Sequence, residues 1–246
     1  MYDPIQDGIE KSSTLVTYQE AKPPAALADI VHNFWELKTE TPLTEDFLYH
    51  AIPDACVNIL FNQQDTDIAG VTALQTRYEV LNLGTHFHYA GIQFFPGAWQ
   101  GDLGETSDSY VGTPYQGDLP LIETNEQLSG LSFDEKQPLL TALVEQLIEQ
   151  KRVALNPLTQ KIFANLDSIN TVTDMAEATH LSPRQLQRKL KQSTGFSPHD
   201  FLKVIRLQLS FKQHYLDAYT DQSHFIHSFR KITGYTPAEY FRKYDV

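Results

Sequence analysis

The run Thr171–Leu190, TVTDMAEATHLSPRQLQRKL, decides how the rest of the chain is read. Thr171 can cap a helix in which Val172, Met175, Ala176 and Thr179 form an apolar stripe at helical spacing. His180 and Leu181 make the corner. Ser182 is a good N-cap and Pro183 a good first helical residue, so a second helix begins there. Leu186 and Leu190, four apart, pack that helix inward and leave Arg184, Gln185, Gln187, Arg188 and Lys191 on the outer face. This is the layout of a helix-turn-helix, whose second helix enters the DNA major groove; it is also that of an ordinary helical hairpin with a solvated face. Arg reads guanine and Gln reads adenine through paired hydrogen bonds, so the face carries chemistry suited to base edges.

The stretch that follows separates the two readings. STGFSP at 193–198 recurs loosely as ITGYTP at 232–237, 39 residues later. Leu190-Lys191 matches Phe229-Arg230, and Phe201 matches Tyr240. Duplication of a helical unit that ends in a Gly turn is a specific signal. On LSPRQLQRKLK (181–191) with TGFSP, and on DQSHFIHSFRKITGYTP (221–237), the chain from about Leu158 to Tyr244 resembles the C-terminal DNA-binding domain of the AraC/XylS family of transcription regulators.

The resemblance implies two helix-turn-helix units joined by a long helix starting near Pro198. Carried over by position, it gives Arg184, Gln187 and Arg188 to the major groove, with Gln185 and Lys191 near phosphates. In the second unit the matching face is Gln222, Ser223, Ile226 and His227, with Arg230 and Lys231 near the backbone. The chain departs from the family pattern just upstream. No Gly or Pro occurs from His199 to Ala218, so nothing punctuates a new supporting helix in Phe211–Ala218. About a dozen residues usual in the family are missing, judged by the helix-turn-helix layout. The second unit is therefore either truncated near 211–220 and a poor reader, or it keeps His214–Ala218 as a shortened helix.

A net charge of −12 over 246 residues looks wrong for a DNA binder until it is divided. Residues 156–246 hold 12 Lys and Arg against 8 Asp and Glu, a net of +4, whereas residues 1–155 carry −16. A basic reading module attached to an acidic regulatory domain shows this asymmetry. A net of +4 predicts weak, strongly salt-dependent non-specific affinity for DNA. Hydrophobic content of 41% and charged content of 20% describe an ordinary soluble protein. No apolar run reaches membrane-spanning length, the N-terminus lacks a signal-peptide pattern, and the single Cys56 fits a reducing cytoplasm.

Residues 1–24 read as an irregular arm, followed by a short helix over Ala25–Val31. Phe47–His50, Cys56–Asn62, Arg77–Leu83 and Phe87–Phe95 read as strands, broken by turns such as Pro53-Asp54 and Pro96-Gly97. Short strands with regular turns predict an antiparallel sheet, barrel or sandwich. HAIPDACVNILFN (50–62) and GIQFFPGAW (91–99) resemble the sensor-like domain often found N-terminal in the same family, which implies a cupin-like β fold. Pro138–Gln150 is helical by its apolar stripe, Leu139, Leu140, Leu143, Val144, Leu147 and Ile148; the stripe packs on its own sheet or forms a dimer interface. Asn156-Pro157 is the natural break between the domains.

His50, His86 and His88 invite a metal-site reading, since two strand residues two apart share a face. The carboxylate and further His of a cupin centre are absent from the pattern, and histidines capping strands or lining a polar pocket account for them. Cys56 in an apolar strand reads as an inert core thiol. No phosphate loop, nucleophile elbow or zinc-finger spacing occurs. The aromatics Phe34, Trp35, Phe47, Tyr49, Phe61, Phe87, Tyr89, Phe94, Phe95 and Trp99 form core or line a pocket for a small apolar or aromatic effector.

The expectation is an α+β chain: an acidic β-rich sensing or dimerisation domain over residues 1–155, then an all-α helix-turn-helix domain over 156–246. The function it implies is that of a cytoplasmic, effector- or dimer-controlled transcription regulator, not an enzyme, with neither cofactor nor metal. Expected partners are double-stranded promoter DNA, a small-molecule effector, a second copy of the chain and RNA polymerase, and no membrane. Two alternatives stay open: a regulator with a degenerate second unit that works through protein partners, and a cupin-type metalloenzyme with a helical tail.

Overall fold

The computed structural model describes residues 15–72, 74–101, 113–212 and 222–243. Among these, β1 (Val16–Ala21), β2 (Val31–Thr39), β3 (Leu48–Ala51), β4 (Asn58–Asn62), β5 (Ala69–Val71), β6 (Glu79–Asn82) and β7 (His88–Phe94) precede every α-helix. They form a five-stranded antiparallel sheet in the order β1-β2-β7-β4-β5, and a two-stranded sheet, β3-β6. Helices α1 (Leu121–Leu128) and α2 (Phe133–Glu149) follow. The helical region comprises α3 (Pro157–Ala164), α4 (Val172–Ala178), α5 (Pro183–Thr194), α6 (Pro198–Lys212), α7 (Gln222–Thr233) and α8 (Pro237–Lys243). The molecule is thus an antiparallel β-sheet domain followed by a helical region, the α+β arrangement expected. None of the described helices is long and apolar enough to cross a membrane.

Period-two alternation gives the large sheet two different faces. Phe34 of β2, Ile59 and Phe61 of β4, and Ile92 and Phe94 of β7 point to one side, where Leu121, Leu128, Leu140, Val144 and Leu147 of α1 and α2 cover them. The apolar stripe of α2 is therefore consumed by its own sheet, and the dimer-interface reading of that stripe loses its surface. On the other side, Leu37, Leu60 and Tyr89 form a smaller cluster with Phe47 and Phe87.

The arm over 1–24 and the helix over Ala25–Val31 do not survive as read; residues 1–14 lie outside the described residues. Val16–Ala21 is an edge strand, Ala25–Leu27 is a single 3-10 turn after Pro24, and Val31 opens β2. β2 was missed because it sits between β1 and β7 and is buried on both faces, so VHNFWELKT shows no clean alternation. Its polar residues are paired instead. Glu36, 2% exposed, accepts from Lys136 Nζ at 2.5 Å, and Lys136 is fully buried. His88 Nε2 lies 2.8 Å from the same oxygen, and Gln19 Nε2 donates to the other at 2.7 Å. Burial alone would raise the Glu36 carboxyl; hydrogen bonds from His88 and Lys136, the Lys136 charge and Gln19 outweigh it and hold it at about 2.

Helix α2 starts upstream of Pro138 because Ser132 and Glu135 form a capping box, in which the Ser132 side chain accepts from Glu135 N and Glu135 accepts from Ser132 N. Burial of Phe133, Leu140, Leu143, Val144 and Leu147 outweighs the donor that Pro138 lacks. Ser132→Ala is expected to lower stability by about 1 kcal/mol in chemical denaturation, with no change in m-value. At the break read before Pro157, Asn156 caps α3 by accepting from Leu158 N and Thr159 N, and also donates to Gly97 O at 3.0 Å.

The 39-residue repeat is realised element for element. α5 and α7 are each 12 residues long, and each ends in a left-handed glycine, Gly195 (φ 73) and Gly234 (φ 81), a conformation that costs a side-chain-bearing residue. Thr194 and Thr233 hydroxyls donate to Leu190 O and Phe229 O, respectively, and accept from Phe196 N and Tyr235 N. Ser197 and Thr236 then cap α6 and α8, accepting from Asp200 N and Glu239 N. Phe201 and Tyr240, at matching places, are both fully buried. The segment in which the second unit was read as shortened (211–220) falls, from 213 onward, outside the described residues.

Candidate nucleic-acid interface and adjoining pocket

Helices α4 and α5 meet across Thr179–Ser182, where His180 takes a left-handed backbone (φ 56) and turns the chain. Ser182 starts α5 by accepting from Gln185 N, with Pro183 at the first turn. Leu186, Leu190 and Thr194 are buried, whereas Arg184, Gln185, Gln187, Arg188 and Lys191 are all exposed. The Gln185 amide oxygen accepts from Ser182 N at 3.0 Å, so this side chain works as a helix cap. Lys191 Nζ donates to Gly195 O at 2.5 Å, closing the helix end.

α7 repeats this register: Phe225, Phe229 and Thr233 are buried, and Ile226, His227, Arg230 and Lys231 are exposed. The side chains of Gln222 and Ser223 lie outside the described residues. Where the first unit carries Arg184, Gln187 and Arg188, the second carries Ser223, Ile226 and His227. The second face has less capacity for paired hydrogen bonds to bases.

Sequence reasoning missed how the β-domain meets these helices. The β3-β6 sheet is two-faced. Tyr49, Ala51, Glu79 and Leu81 turn to one side and help line a pocket. His50, on the opposite face, is buried against Tyr78, Tyr235 and Tyr240, with ring centroids 4.8, 5.5 and 5.6 Å away. Tyr78 N donates to Ile232 O, a carbonyl in the last turn of α7. The loop after β3 does the same on a smaller scale. Ile52 packs with Leu207, Phe225 and Phe229; Ala55 joins the core of α3 to α6; and Gln208 Nε2 donates to Pro53 O at 2.7 Å. Pro53, Asp54 and Cys56 meanwhile line the pocket.

The pocket, about 130 Å³, lies between the β3-β6 sheet and the large sheet. Trp35, Tyr49 and Tyr89 face it, as do Tyr18 and Leu37, which explains why Tyr18, Trp35 and Tyr49 are only half-buried. Of the other aromatics, Phe34, Phe61, Phe94 and Trp99 join the core, Phe47 and Phe87 pair with each other, and Phe95 packs edge-on against His32. Gly91 is opposite Trp35, and a Cβ there would fall 2.4 Å from Trp35 Cζ2 and 2.6 Å from Ile59 O; only glycine lets the indole lie across the sheet. Asp54 accepts from Cys56 N at 2.8 Å and from Gln93 Nε2 at 2.6 Å. Burial pushes its carboxyl up to about 6 against the pull of those bonds. Burial likewise pushes the Cys56 thiol up, in keeping with an unreactive buried thiol.

The three histidines are not brought together. His86 Nδ1 pairs with Thr39 Oγ1 at 2.8 Å, His88 with Glu36, and His50 with the tyrosines of the helical region. The metalloenzyme alternative thus loses the ligand set it rested on. Among the described residues no group of three or more His, Cys, Asp or Glu is placed to hold a metal.

Burial lowers the His50 ring to about 4. A base held neutral in the fold stabilises it fully above its ordinary value of 6.5, and that contribution is lost as pH falls from 6.5 to about 4. The melting temperature is expected to fall across this window in the parent protein, and by a smaller amount in His50→Phe, which keeps the ring packing without the titration.

Residues 19–113 match the sequence profile of a domain of unknown function, DUF6597. No curated protein matches the chain. Among solved structures, ToxT from Vibrio cholerae is similar at 9% identity, with 92% of this chain and 98% of that chain covered and a TM-score of 0.43. The unsaturated fatty acid-bound wild-type ToxT of Vibrio cholerae strain SCE256 is similar at 12% identity, with coverage of 96% and 97% and a TM-score of 0.42.

Proposed function

We propose that the chain is a sequence-specific, DNA-binding transcription regulator of the AraC/XylS type, with an effector-sensing unit over residues 1–155 and a reading unit over 156–246. The observation that carries this reading is the doubled unit, α5–Gly195–α6 and α7–Gly234–α8, with the same buried register in each copy and basic residues exposed near the end of each first helix, Lys191 and Arg230-Lys231. Arg184, Gln187 and Arg188 supply base readout, and Lys191, Arg230 and Lys231 supply phosphate contacts. Gln185 serves the helix start. Ile226 suits a thymine methyl and His227 a single hydrogen bond, so the second unit adds affinity more than discrimination.

Control runs through the two-faced β3-β6 sheet and the Ile52–Cys56 loop. A small molecule in the pocket touches one side of these elements, while α6, α7 and α8 pack on the other. A ligand that changes their preferred position changes the stability of the contact with the second reading unit, and so the pairing of the two units on DNA.

The test is binding of the purified protein to the DNA upstream of its own gene, titrated against salt with a random duplex as control. A sequence-dependent gap that survives at moderate salt is expected. Equal, salt-erased binding to both duplexes, repeated on a second promoter, would count against the reading.

A further inference from the structure

We propose that the pocket between the two sheets binds a small organic cation, an ammonium or amine carried on an apolar body about the size of one ring. This rests on the reading that the pocket holds the effector, and names the class of molecule it takes.

Three observations converge. The first is size: about 130 Å³ is close to the roughly 150 Å³ cavity that accepts a benzene ring. The second is the wall. Tyr18, Trp35, Tyr49 and Tyr89 present aromatic rings, and Tyr18 and Trp35 lie nearly parallel, 6.5 Å apart with 14° between their planes. The negative faces of such rings attract cations, most of all where water is excluded.

The third is charge. Asp54 and Glu79 line the pocket, and none of the described residues lining it is Lys, Arg or His. An anionic ligand would sit beside two carboxylates with no counter-charge among the lining residues, only neutral donors such as Asn58, Thr72 and Gln75. Asp54 is also held in place. Gln93 Oε1 is paired with His32 Nδ1 at 2.5 Å, which commits its amide nitrogen to the Asp54 carboxylate. Each Asp54 oxygen accepts one such bond, and a carboxylate has about four acceptor sites, so capacity remains for an ammonium donor. Burial already disfavours the charged Asp54, and a cation is the ligand that relieves this.

The full-length protein is titrated with three probes of one shape, benzylammonium, benzyl alcohol and benzoate, followed by intrinsic tryptophan fluorescence and by thermal melting. Benzylammonium alone is expected to change the Trp35 signal and raise the melting temperature. Asp54→Asn should weaken its binding about tenfold or more, the scale of a lost charge-assisted hydrogen bond. Glu79→Gln, which leaves the Asp54–Gln93 pairing intact, should weaken it by a smaller factor and keeps the test decisive if Asp54→Asn folds poorly. Benzyl alcohol or benzoate binding as tightly as benzylammonium overturns the cation class and leaves the pocket as an effector site. No response to any of the three overturns the pocket as a site for such a molecule, and the class with it.

Discussion

Lys136→Met is expected to lower the unfolding free energy by about 3–5 kcal/mol. Lys136 is fully buried on α2 and Glu36 is 2% exposed on the interior strand β2, so removing the ammonium leaves a buried carboxylate without its nearest counter-charge. His88 Nε2 remains at 2.8 Å on a partly exposed side chain, and the other ammonium, Lys38 Nζ, is 3.9 Å from Glu36 and 28% exposed, too far and too solvated to replace Lys136. The double variant Glu36→Leu/Lys136→Met should recover most of the loss, because replacing a buried pair by apolar groups of similar volume is close to neutral. Urea denaturation monitored by tryptophan fluorescence measures both. A loss below about 1 kcal/mol in the single variant would mean that Glu36 finds solvent, as an exposed pair does. The same pair sets an acid limit. With the Glu36 carboxyl held at about 2, its contribution is complete above the ordinary value of 4.5 and disappears as pH falls from 4.5 to about 2.

Arg188→Ala is expected to weaken binding to the upstream DNA by about 1–3 kcal/mol, roughly 5- to 150-fold, and to relax the preference over a random duplex. Arg188 is exposed on α5, one turn from Arg184 and beside Gln187, while Leu186 and Leu190 anchor the opposite side. On the proposed reading the substitution removes a bidentate contact to guanine. Stability should move by no more than about 0.5 kcal/mol, as for other surface substitutions, so a binding defect cannot be read as unfolding. Lys191→Ala is the contrasting variant. Loss of a phosphate contact weakens both duplexes alike and reduces the salt slope by about 1. Unchanged affinity in Arg188→Ala would remove α5 from the groove.

The helical region was legible in the amino-acid order because its signals are local. Thr171, Ser182 and Pro183 mark helix starts, Gly195 and Gly234 mark ends, and Leu186 and Leu190 set the face within four residues. Each depends on neighbours within one turn. β3, β4, β6 and β7 were legible for a related reason, alternation closed off by Pro and Gly turns.

What escaped was everything decided by a partner far along the chain. β1 reads as part of an irregular arm and β2 carries no strand signal, because burial of β2 on both faces erases its alternation and the Glu36–Lys136 pair that completes it spans a hundred residues. The aromatics could be named but not sorted, since a phenylalanine core and a tryptophan-lined pocket have one composition until strand parity and packing assign them sides. His50 was taken with His86 and His88 for its chemistry, whereas its surroundings come from Tyr235 and Tyr240. Local order thus determined the duplicated helices of the C-terminal region and their caps, through hydrogen bonds within a turn. Only tertiary packing made a pocket on one face of β3-β6 and a helix contact on the other, because burial depends on which distant surfaces meet.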